Sequence, residues 1–315
     1  MRIDIMPNLF SKIASQNGTL RLFAGGRQIK SLVPLIDVAR CFKFMEERED
    51  IFSETGQTTH EFLISRGFST SFIDRFFSPL FGGIFLESSL RTDARMFKFV
   101  FKNMSRGDMV LPKQGISAVP QFLFDKLENT KLTLKADVKI INDNELIVDH
   151  KPKKYFRVIK AFSEVAGKIT RSVWTVHFSA PKSPLKHKFI MLNSNINTQN
   201  KLISHIAVPS DIQPSYAPVD KSLITATIVG EHADEKGITS EEEIARSAVE
   251  ELTEWFGEEV GEWNLLDVQH ITTALPELSS SDFDNIDVNN EFLECGDHTY
   301  HGSVEGALQS AAKLV

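Results

Sequence analysis

The residue types best suited to chemistry are concentrated near the end of the sequence, in the segment Cys295-Gly-Asp-His-Thr-Tyr-His-Gly-Ser-Val-Glu-Gly-Ala-Leu-Gln-Ser310. The pattern predicts a strand, a tight turn that carries Asp297, and a helix that begins near Gly302. Helix amino termini present unpaired N–H groups and a partial positive charge, which favour a phosphate or an electron-rich carbonyl. Gly302 and Gly306 have no side chain to keep a flat ligand away from the backbone. A purely structural strand, turn and helix would show the same pattern.

Three other kinds of site in this segment have weaker support. Cys295, His298 and His301 have metal-ligand chemistry, but a closed zinc site needs a fourth ligand and the sequence offers no companion pair, so no metal is expected. A nucleophile elbow centres its serine between two glycines, whereas Ser303 directly follows Gly302. His298 and His301 stay open as general bases, although two surface histidines in a turn are commoner. No single catalytic residue is therefore named.

The composition is that of a globular protein and excludes several classes of function. The 315 residues are 42% apolar and 24% charged, and the formal charge of −7 at pH 7 gives no basic field for nucleic acid or anionic lipid. Two cysteines do not make a disulfide framework and indicate a reducing compartment. No stretch approaches the roughly 18 uninterrupted apolar residues of a membrane span, and the amino terminus lacks a signal peptide's apolar core. We expect a cytoplasmic protein without a transmembrane segment or a nucleic-acid partner.

Helices dominate the first part of the chain. Phe68, Phe72 and Phe76 recur at every fourth residue, which predicts a helix that stops before Pro79 and the glycine pair that follows it. Two more helices are predicted, one over about 92–107 and one that begins after Ser117. Phenylalanine is over-represented, with 24 residues against 3 Tyr and 3 Trp. This excess suits either a Phe-filled core or a pocket for a bulky apolar ligand.

Strands dominate after Lys131, where the apolar period changes from near four to two. The strand candidates are 132–140, 146–148, 172–179, 189–192, 203–208, 223–229, 265–271 and 291–295. One acidic helix interrupts them: Ser240 and Glu243 form a capping box at its start, and Gly257 ends it. Helices followed by mostly sequential strands predict an α+β fold with a mixed β-sheet.

Several separated motifs resemble one known family. They are Gly67–Leu86, Leu111–Pro120, Pro209–Pro218, Thr273–Pro276, and the Gly-Asp and Gly-Ser-x-x-Gly-Ala elements of the tail. In this order they resemble the FAD-dependent amine oxidase superfamily, and within it the branch of phytoene desaturases and protoporphyrinogen oxidases. The resemblance covers about residues 55–310.

The resemblance implies an FAD site at the tail. Asp297, next to Gly296, would hydrogen-bond the ribityl or pyrophosphate part of the cofactor. The backbone of Gly302, Ser303 and Val304 would approach the isoalloxazine, whose reduced form carries negative charge that a helix dipole stabilises.

Two further positions take a role only from the resemblance. Val138 would lie beside the adenine, although an ordinary core strand residue would explain that position equally well. Ala274, Leu275 and Pro276 would approach the substrate pocket.

The sequence departs from the family at its start. Flavoenzymes of this type begin with a strand, a Gly-x-Gly-x-x-Gly turn and a helix, and no such motif occurs here. We therefore expect a truncated or split form, and a separate FAD-binding chain is one expected partner.

The expected architecture is a mixed-sheet substrate domain with a helical subdomain, plus the residual carboxy-terminal part of a Rossmann-like FAD-binding domain. The expected divisions are a helical part at 1–130, an adenine-side remnant at 131–170, a mixed-sheet substrate domain at 171–285, and an FAD-binding strand, turn and helix at 286–315. The expected function is oxidation of a small hydrophobic substrate by hydride transfer to flavin N5. The alternative is a non-catalytic remnant that binds an apolar ligand or a partner protein without flavin.

Overall fold

The computed structural model describes Asp37, Arg40, Cys41, Ile51 and residues 56–107, 109–162, 170–185, 188–197, 201–277 and 293–314. Helices come first and strands follow, so the expected combination of helix and sheet is confirmed. Residues 1–36 of the expected helical part and 286–292 of the expected tail lie outside the described residues. The domain boundaries stay predictions.

Helical segments fill most of 59–106 and recur around the sheet. They are α1 (Thr59–Ser65), α2 (Thr70–Phe72), α3 (Ser78–Phe85), α4 (Ala94–Arg106), α5 (Ala118–Phe124), α6 (Pro209–Ile212), α7 (Gly230–Glu235), α8 (Glu241–Phe256) and α9 (Val304–Ala312). Shorter turns of other types are the π-helix Ile73–Phe77 and the 3-10 helices Pro214–Tyr216, Gly257–Glu262 and Asp297–Thr299.

The helix over the phenylalanine stripe does not stop before Pro79, as the sequence had predicted. The π-helix Ile73–Phe77 joins α2 to α3, and Pro79 lies in the first turn of α3. A proline inside a helix removes one backbone hydrogen bond, and the wider π-turn directly before Pro79 already interrupts the regular hydrogen-bond pattern there. The helix ends only at Leu86, whose backbone is left-handed.

The glycine pair 82–83 allows close packing inside α3. A Cβ added at Gly82 would lie 2.6 Å from the carbonyl oxygen of Glu87, and one at Gly83 would lie 2.5 Å from ring atoms of His205. The pair therefore lets a loop and a strand approach α3, and it does not end the helix.

Phenylalanine fills the helical core. Rings of Phe77 and Phe97 have centroids 5.4 Å apart, and Phe81 and Phe97 have centroids 4.6 Å apart. The buried phenylalanines of this core are Phe62, Phe68, Phe72, Phe77, Phe81, Phe85, Phe97 and Phe101. Of the two interpretations of the phenylalanine excess, core filling accounts for most of these rings.

The strands form three sheets among the described residues. They are β1 (Val138–Asn142), β2 (Glu145–Val148), β3 (Lys151–Lys154), β4 (Ile159–Lys160), β5 (Thr170–Ala180), β6 (Met191–Leu192), β7 (His205–Ala207), β8 (Ser222–Val229), β9 (Asn264–Pro276) and β10 (Leu293–Glu294). The sheets have the orders β1-β2-β3, β10-β4 and β6-β7-β8-β5-β9.

The five-stranded sheet is antiparallel at every described pairing, so the expectation of a mixed sheet in this part is wrong. Each strand runs back beside a neighbour, and antiparallel pairing needs no helical crossover between the two. The described parallel pairing lies elsewhere, where β10 pairs with β4.

One face of the large sheet packs against α8. Trp174, Val176 and Phe178 alternate along β5 and are buried, as their spacing predicts. Ile244 and Leu252 of α8 belong to the same core. The start of α8 is capped on one side, because the hydroxyl of Ser240 accepts a hydrogen bond from the backbone N–H of Glu243.

The segment 109–157 has no buried side chain. It contains α5 and the three-stranded sheet β1-β2-β3. Its first loop contacts the rest of the fold, where Tyr216 donates to the carbonyl oxygen of Pro112 and Ser215 to that of Lys113. Two of the motifs that carry the family resemblance therefore touch each other.

Candidate functional site

A cavity of about 180 Å³ lies where the helical core, the large sheet and the tail meet. It is lined by Ile84, Phe85, Thr92, Met96, Val100, Arg171, Leu275, Pro276, Gly302 and Ser303. Most of these side chains are apolar, and α3, α4, β5, β9 and the start of α9 each contribute. Pockets for drug-sized ligands measure roughly 300–1,000 Å³, so this cavity suits one end of a ligand.

A bulge in β9 aims two of the predicted substrate residues into the cavity. Arg171 of β5 pairs with Leu275, but the next recorded pair is Val173 with Ile271. Three residues of β9, 272–274, therefore lie opposite Ser172 alone, and such a bulge bends a strand and redirects its side chains. Leu275 and Pro276 follow the bulge directly and line the cavity, whereas Ala274 does not.

The start of α9 brings two of the predicted flavin residues to the same cavity. Ser303 is the N-cap, and its hydroxyl accepts from the N–H of Gly306. The amides of Val304 and Glu305 donate to no atom of the described residues. A Cβ added at Gly302 would lie 2.7 Å from Cδ1 of Leu275. The glycine thus allows the predicted flavin and substrate segments to meet.

The other predicted flavin residues do not line the cavity. Gly296 has a φ of +145°, and its N–H donates to the Ser310 hydroxyl. Asp297 is half exposed and accepts from the N–H of His298. Val304 is 61% exposed, on the outer side of α9. The structure groups Gly296 and Asp297 with α9, and neither residue lines the cavity.

Val138 lies apart from these residues. It begins β1, pairs with Val148, and is 48% exposed. It is therefore not the buried core residue that was the alternative interpretation, and its assignment beside an adenine stays a prediction.

His301 is held inside the protein. It is 1% exposed, and its Nδ1 lies 2.9 Å from the Ser303 hydroxyl. Burial lowers the pKa of His301, and this effect outweighs the opposite influence of Glu305 and Asp297. A Cβ at Gly306 would lie 2.1 Å from the His301 carbonyl oxygen. Gly306 is thus required by this contact, and its role in making room for a ligand stays a prediction.

Neither His298 nor His301 is among the cavity-lining residues. Within the described part of the chain, no group of three or more His, Cys, Asp or Glu side chains could hold a metal ion. The same residues include no helix that is long and apolar enough to cross a bilayer.

Sequence reasoning missed Arg171, the buried cation of the cavity. Its guanidinium donates to the carbonyl oxygen of Phe85 (2.9 Å) and to the Thr92 hydroxyl (2.7 Å), and it forms an ion pair with Glu87 (3.0 Å). Glu277 lies 3.6 Å from the same guanidinium. These partners are about 80 to 106 positions away in sequence, so no local pattern could have revealed them.

The family profile of flavin containing amine oxidoreductases matches residues 17–151 and 155–313. The match spans nearly the whole chain, and it begins earlier than the resemblance that the motifs had indicated. The chain therefore belongs to the flavin-containing amine oxidoreductase family, as predicted.

Solved structures share this fold at low sequence identity. An oxidoreductase from Methanosarcina mazei has a TM-score of 0.67 and 15% identity, covering 90% of this chain and 73% of its own. A candidate protoporphyrinogen oxidase from Exiguobacterium sp. 255-15 has a TM-score of 0.61 and 14% identity, with 90% and 72% covered. A putrescine oxidase bound to putrescine has a TM-score of 0.59 and 13% identity, with 90% and 77% covered. No curated protein matches the sequence at a significant level.

The residues at the start of α9 fit a flavin. Two amides that have no partner among the described residues, a glycine without a side chain and a helix dipole together favour an electron-rich, planar group. The hydroxyl of Ser303 caps only the amide of Gly306, so it leaves the first two amides of the helix available.

Proposed function

We propose that this chain forms the substrate-binding and flavin-facing part of an FAD-dependent oxidoreductase that oxidises a small hydrophobic molecule by hydride transfer to flavin N5. One observation carries the proposal. The same cavity is lined both by Leu275 and Pro276, which the family resemblance assigns to substrate, and by Gly302 and Ser303, which it assigns to flavin.

The chain's own residues position the reactants. The apolar walls of the cavity, including Met96 and Val100, bind the substrate and exclude water from it. The amides of Val304 and Glu305 orient an electron-rich ring edge, and the dipole of α9 stabilises negative charge there. FAD, when bound, supplies the hydride acceptor.

The remainder of the cofactor site comes from elsewhere in this proposal. The sequence has no Gly-x-Gly-x-x-Gly turn for the pyrophosphate. Polypeptide outside these 315 residues, in a longer form of the chain or in a separate FAD-binding chain, would supply it. The free thiols of Cys41 and Cys295 support a cytoplasmic location within the same proposal.

Flavin binding tests the proposal directly. The purified chain is titrated with FAD, and the flavin band between about 350 and 500 nm is followed by difference spectroscopy, because a site without the pyrophosphate cradle binds FAD too weakly to survive a desalting column. We expect a flavin band that the Gly302→Asp variant loses. Aspartate adds bulk where Leu275 already lies close, and its charge opposes the electron-rich edge of the flavin.

The Gly261→Asp variant is the matched control, because nothing lies within 4 Å of a Cβ added at Gly261. It should retain the flavin band and the melting temperature of the original chain. If a folded Gly302→Asp variant bound FAD as well as the original chain does, the assignment of α9 to the flavin site would be wrong.

A second function is supported by the segment 109–157. This segment buries no side chain, and it exposes Val110 at 77% and Phe156 at 98%. Such a surface favours association with another protein. A non-catalytic binding module would therefore ignore FAD and still form a complex or self-associate through this segment. Size-exclusion chromatography with and without FAD, on the original chain and on Phe156→Asp, tests this second function: a binding module associates through the segment, loses that association in Phe156→Asp, and shows no flavin band in the FAD titration.

A further inference from the structure

Arg171 lines the cavity, and one of its hydrogen-bond donors has no partner in the part of the chain that the structure describes. The side chain is 6% exposed and lines the cavity with Thr92 and Leu275. Its two terminal nitrogens have Phe85, Thr92, Glu87 and Glu277 as partners, but its buried Nε has none among the described residues.

An unpaired donor in a buried guanidinium is costly. Buried N–H groups are nearly always hydrogen-bonded, and leaving one without a partner costs about 1–3 kcal/mol, or more when the group is charged. The fork of Arg171 is fixed by its four other contacts, so it cannot turn to seek a partner elsewhere. A ligand oxygen in the cavity is the group that would complete it.

The charge around Arg171 determines which oxygen suits this donor. Glu87 is fully buried and Glu277 is partly exposed, so two carboxylates already face one guanidinium. Arg91 lies 4.0 Å from Glu277 but is paired at 2.6 Å with a third carboxylate, Glu231. The local sum is two cations against three anions. A carboxylate ligand would add repulsion, whereas a neutral oxygen would not.

We infer that Arg171 determines the specificity of this cavity, and that its Nε–H binds one neutral oxygen, such as that of a ketone, an ester or an ether, on an otherwise apolar substrate. This inference rests on the proposed function, because it assumes that the ligand of the cavity is the substrate. It narrows the class of that substrate to apolar molecules with one neutral oxygen. A pure hydrocarbon would leave the donor unpaired. An acidic substrate would meet the surplus of carboxylates.

Three probes of nearly equal shape test the inference. Acetophenone carries a ketone, isopropenylbenzene replaces its oxygen with a methylene group, and benzoate carries an anion. Their affinities for the purified chain are measured by ligand-observed NMR without added FAD. We expect acetophenone to bind roughly tenfold or more tightly than isopropenylbenzene, because a hydrogen bond to a charged donor is lost in the hydrocarbon. Benzoate should be the weakest binder of the three.

Two variants locate the binding. Val100→Trp fills the cavity and should abolish acetophenone binding, whereas Val249→Trp, on the exposed side of α8, should leave it unchanged. Arg171→Lys keeps the charge but loses the Nε donor, so its preference for the ketone over the hydrocarbon should disappear. The comparison of probes on the original chain stands even if this variant does not fold.

Equal binding of ketone and hydrocarbon, tighter binding of benzoate, or no binding of any probe would each overturn the inference. The proposed function fails by a different observation, the lack of a flavin band in the presence of FAD. Selective ketone binding by a chain that ignores FAD would thus support the role of Arg171 while rejecting the oxidoreductase.

Discussion

The space around Gly302 and Gly306 shows how tightly the start of α9 is packed. A Cβ added at Gly302 would lie against the side chain of Leu275, and one added at Gly306 would lie against the carbonyl oxygen of His301. The first contact involves the end of a flexible side chain, which can move. The second involves a main-chain carbonyl, which cannot move without displacing the start of α9.

Gly306→Ala is therefore expected to destabilise the protein by about 3 kcal/mol, because forced overpacking in a closed site costs up to that amount. Chemical denaturation measures the change in the free energy of unfolding. Gly261→Ala, with no atom within 4 Å of the new methyl group, is the control and should change stability by less than about 0.5 kcal/mol. Equal stabilities of the two variants would contradict the packing described at His301.

His205 should make stability depend on pH. Burial lowers the pKa of His205 from 6.5 to about 4. Between these two values the unfolded chain binds a proton that the folded chain does not, so stability is lost as the pH falls from about 6.5 toward 4. At pH 5 this residue should cost at most about 2 kcal/mol relative to pH 8.

Urea denaturation at both pH values measures that loss. Burial also lowers the pKa of His232 and His301, so the original chain should lose stability through these residues as well. His205→Phe removes only one contribution and should show a smaller loss, whereas His60→Phe, at an exposed position of α1, should behave as the original chain does. An unchanged loss in His205→Phe would mean that the ring is solvated.

At the scale of elements, the ring of Phe77 connects the π-helix to the rest of the helical core. It is fully buried, and its ring lies within 6.1 Å, centroid to centroid, of those of Phe68, Phe72, Phe76, Phe81, Phe97 and Phe101. Phe77→Ala should lower the free energy of unfolding by about 4 kcal/mol, as expected for a buried phenylalanine.

Phe122→Ala is the matched control for this change, since Phe122 is 61% exposed on α5. Its free energy of unfolding should stay within about 0.5 kcal/mol of the original value. If both variants lost the same stability, the helical core would not be centred on Phe77.

Helices and strands could be predicted from the sequence wherever apolar residues recur at a regular spacing or a capping residue marks the end of a helix. The alternation of Trp174, Val176 and Phe178 predicted β5, and Gly107 and Gly257 mark the ends of α4 and α8 as expected. Helix termination at Pro79 was wrong because the π-turn depends on packing of the whole phenylalanine core.

The candidate site was predictable only in part. The tail motif and Leu275 and Pro276 came from sequence, because a glycine-rich turn and a family resemblance mark them. Arg171 and Glu87 did not, because each looks like an ordinary charged residue until the sheet and the loop after α3 are brought together. Long-range ion pairs leave no periodic trace in a sequence.

At the scale of the whole molecule, the segment 109–157 should be the least protected of the regular structure. It has no buried side chain to resist opening. Hydrogen exchange of the isolated chain should be at least about tenfold faster in β1–β3 than in the central strands β5 and β8, since buried strands open only with global unfolding. Equal protection would indicate that the three-stranded sheet is covered, and a partner that binds there should slow its exchange selectively.

The bulge at residues 272–274 has a consequence for how the family could vary its substrates. Because three residues of β9 face one residue of β5, two of them can be removed while the alternation of inward and outward side chains is kept on both sides. Such a change in length would shift Leu275 and Pro276 along the strand and so alter the part of the cavity that they line. Relatives could thus change the size of the substrate that they accept by changing the length of this bulge, while the pairing of the rest of the sheet stays the same.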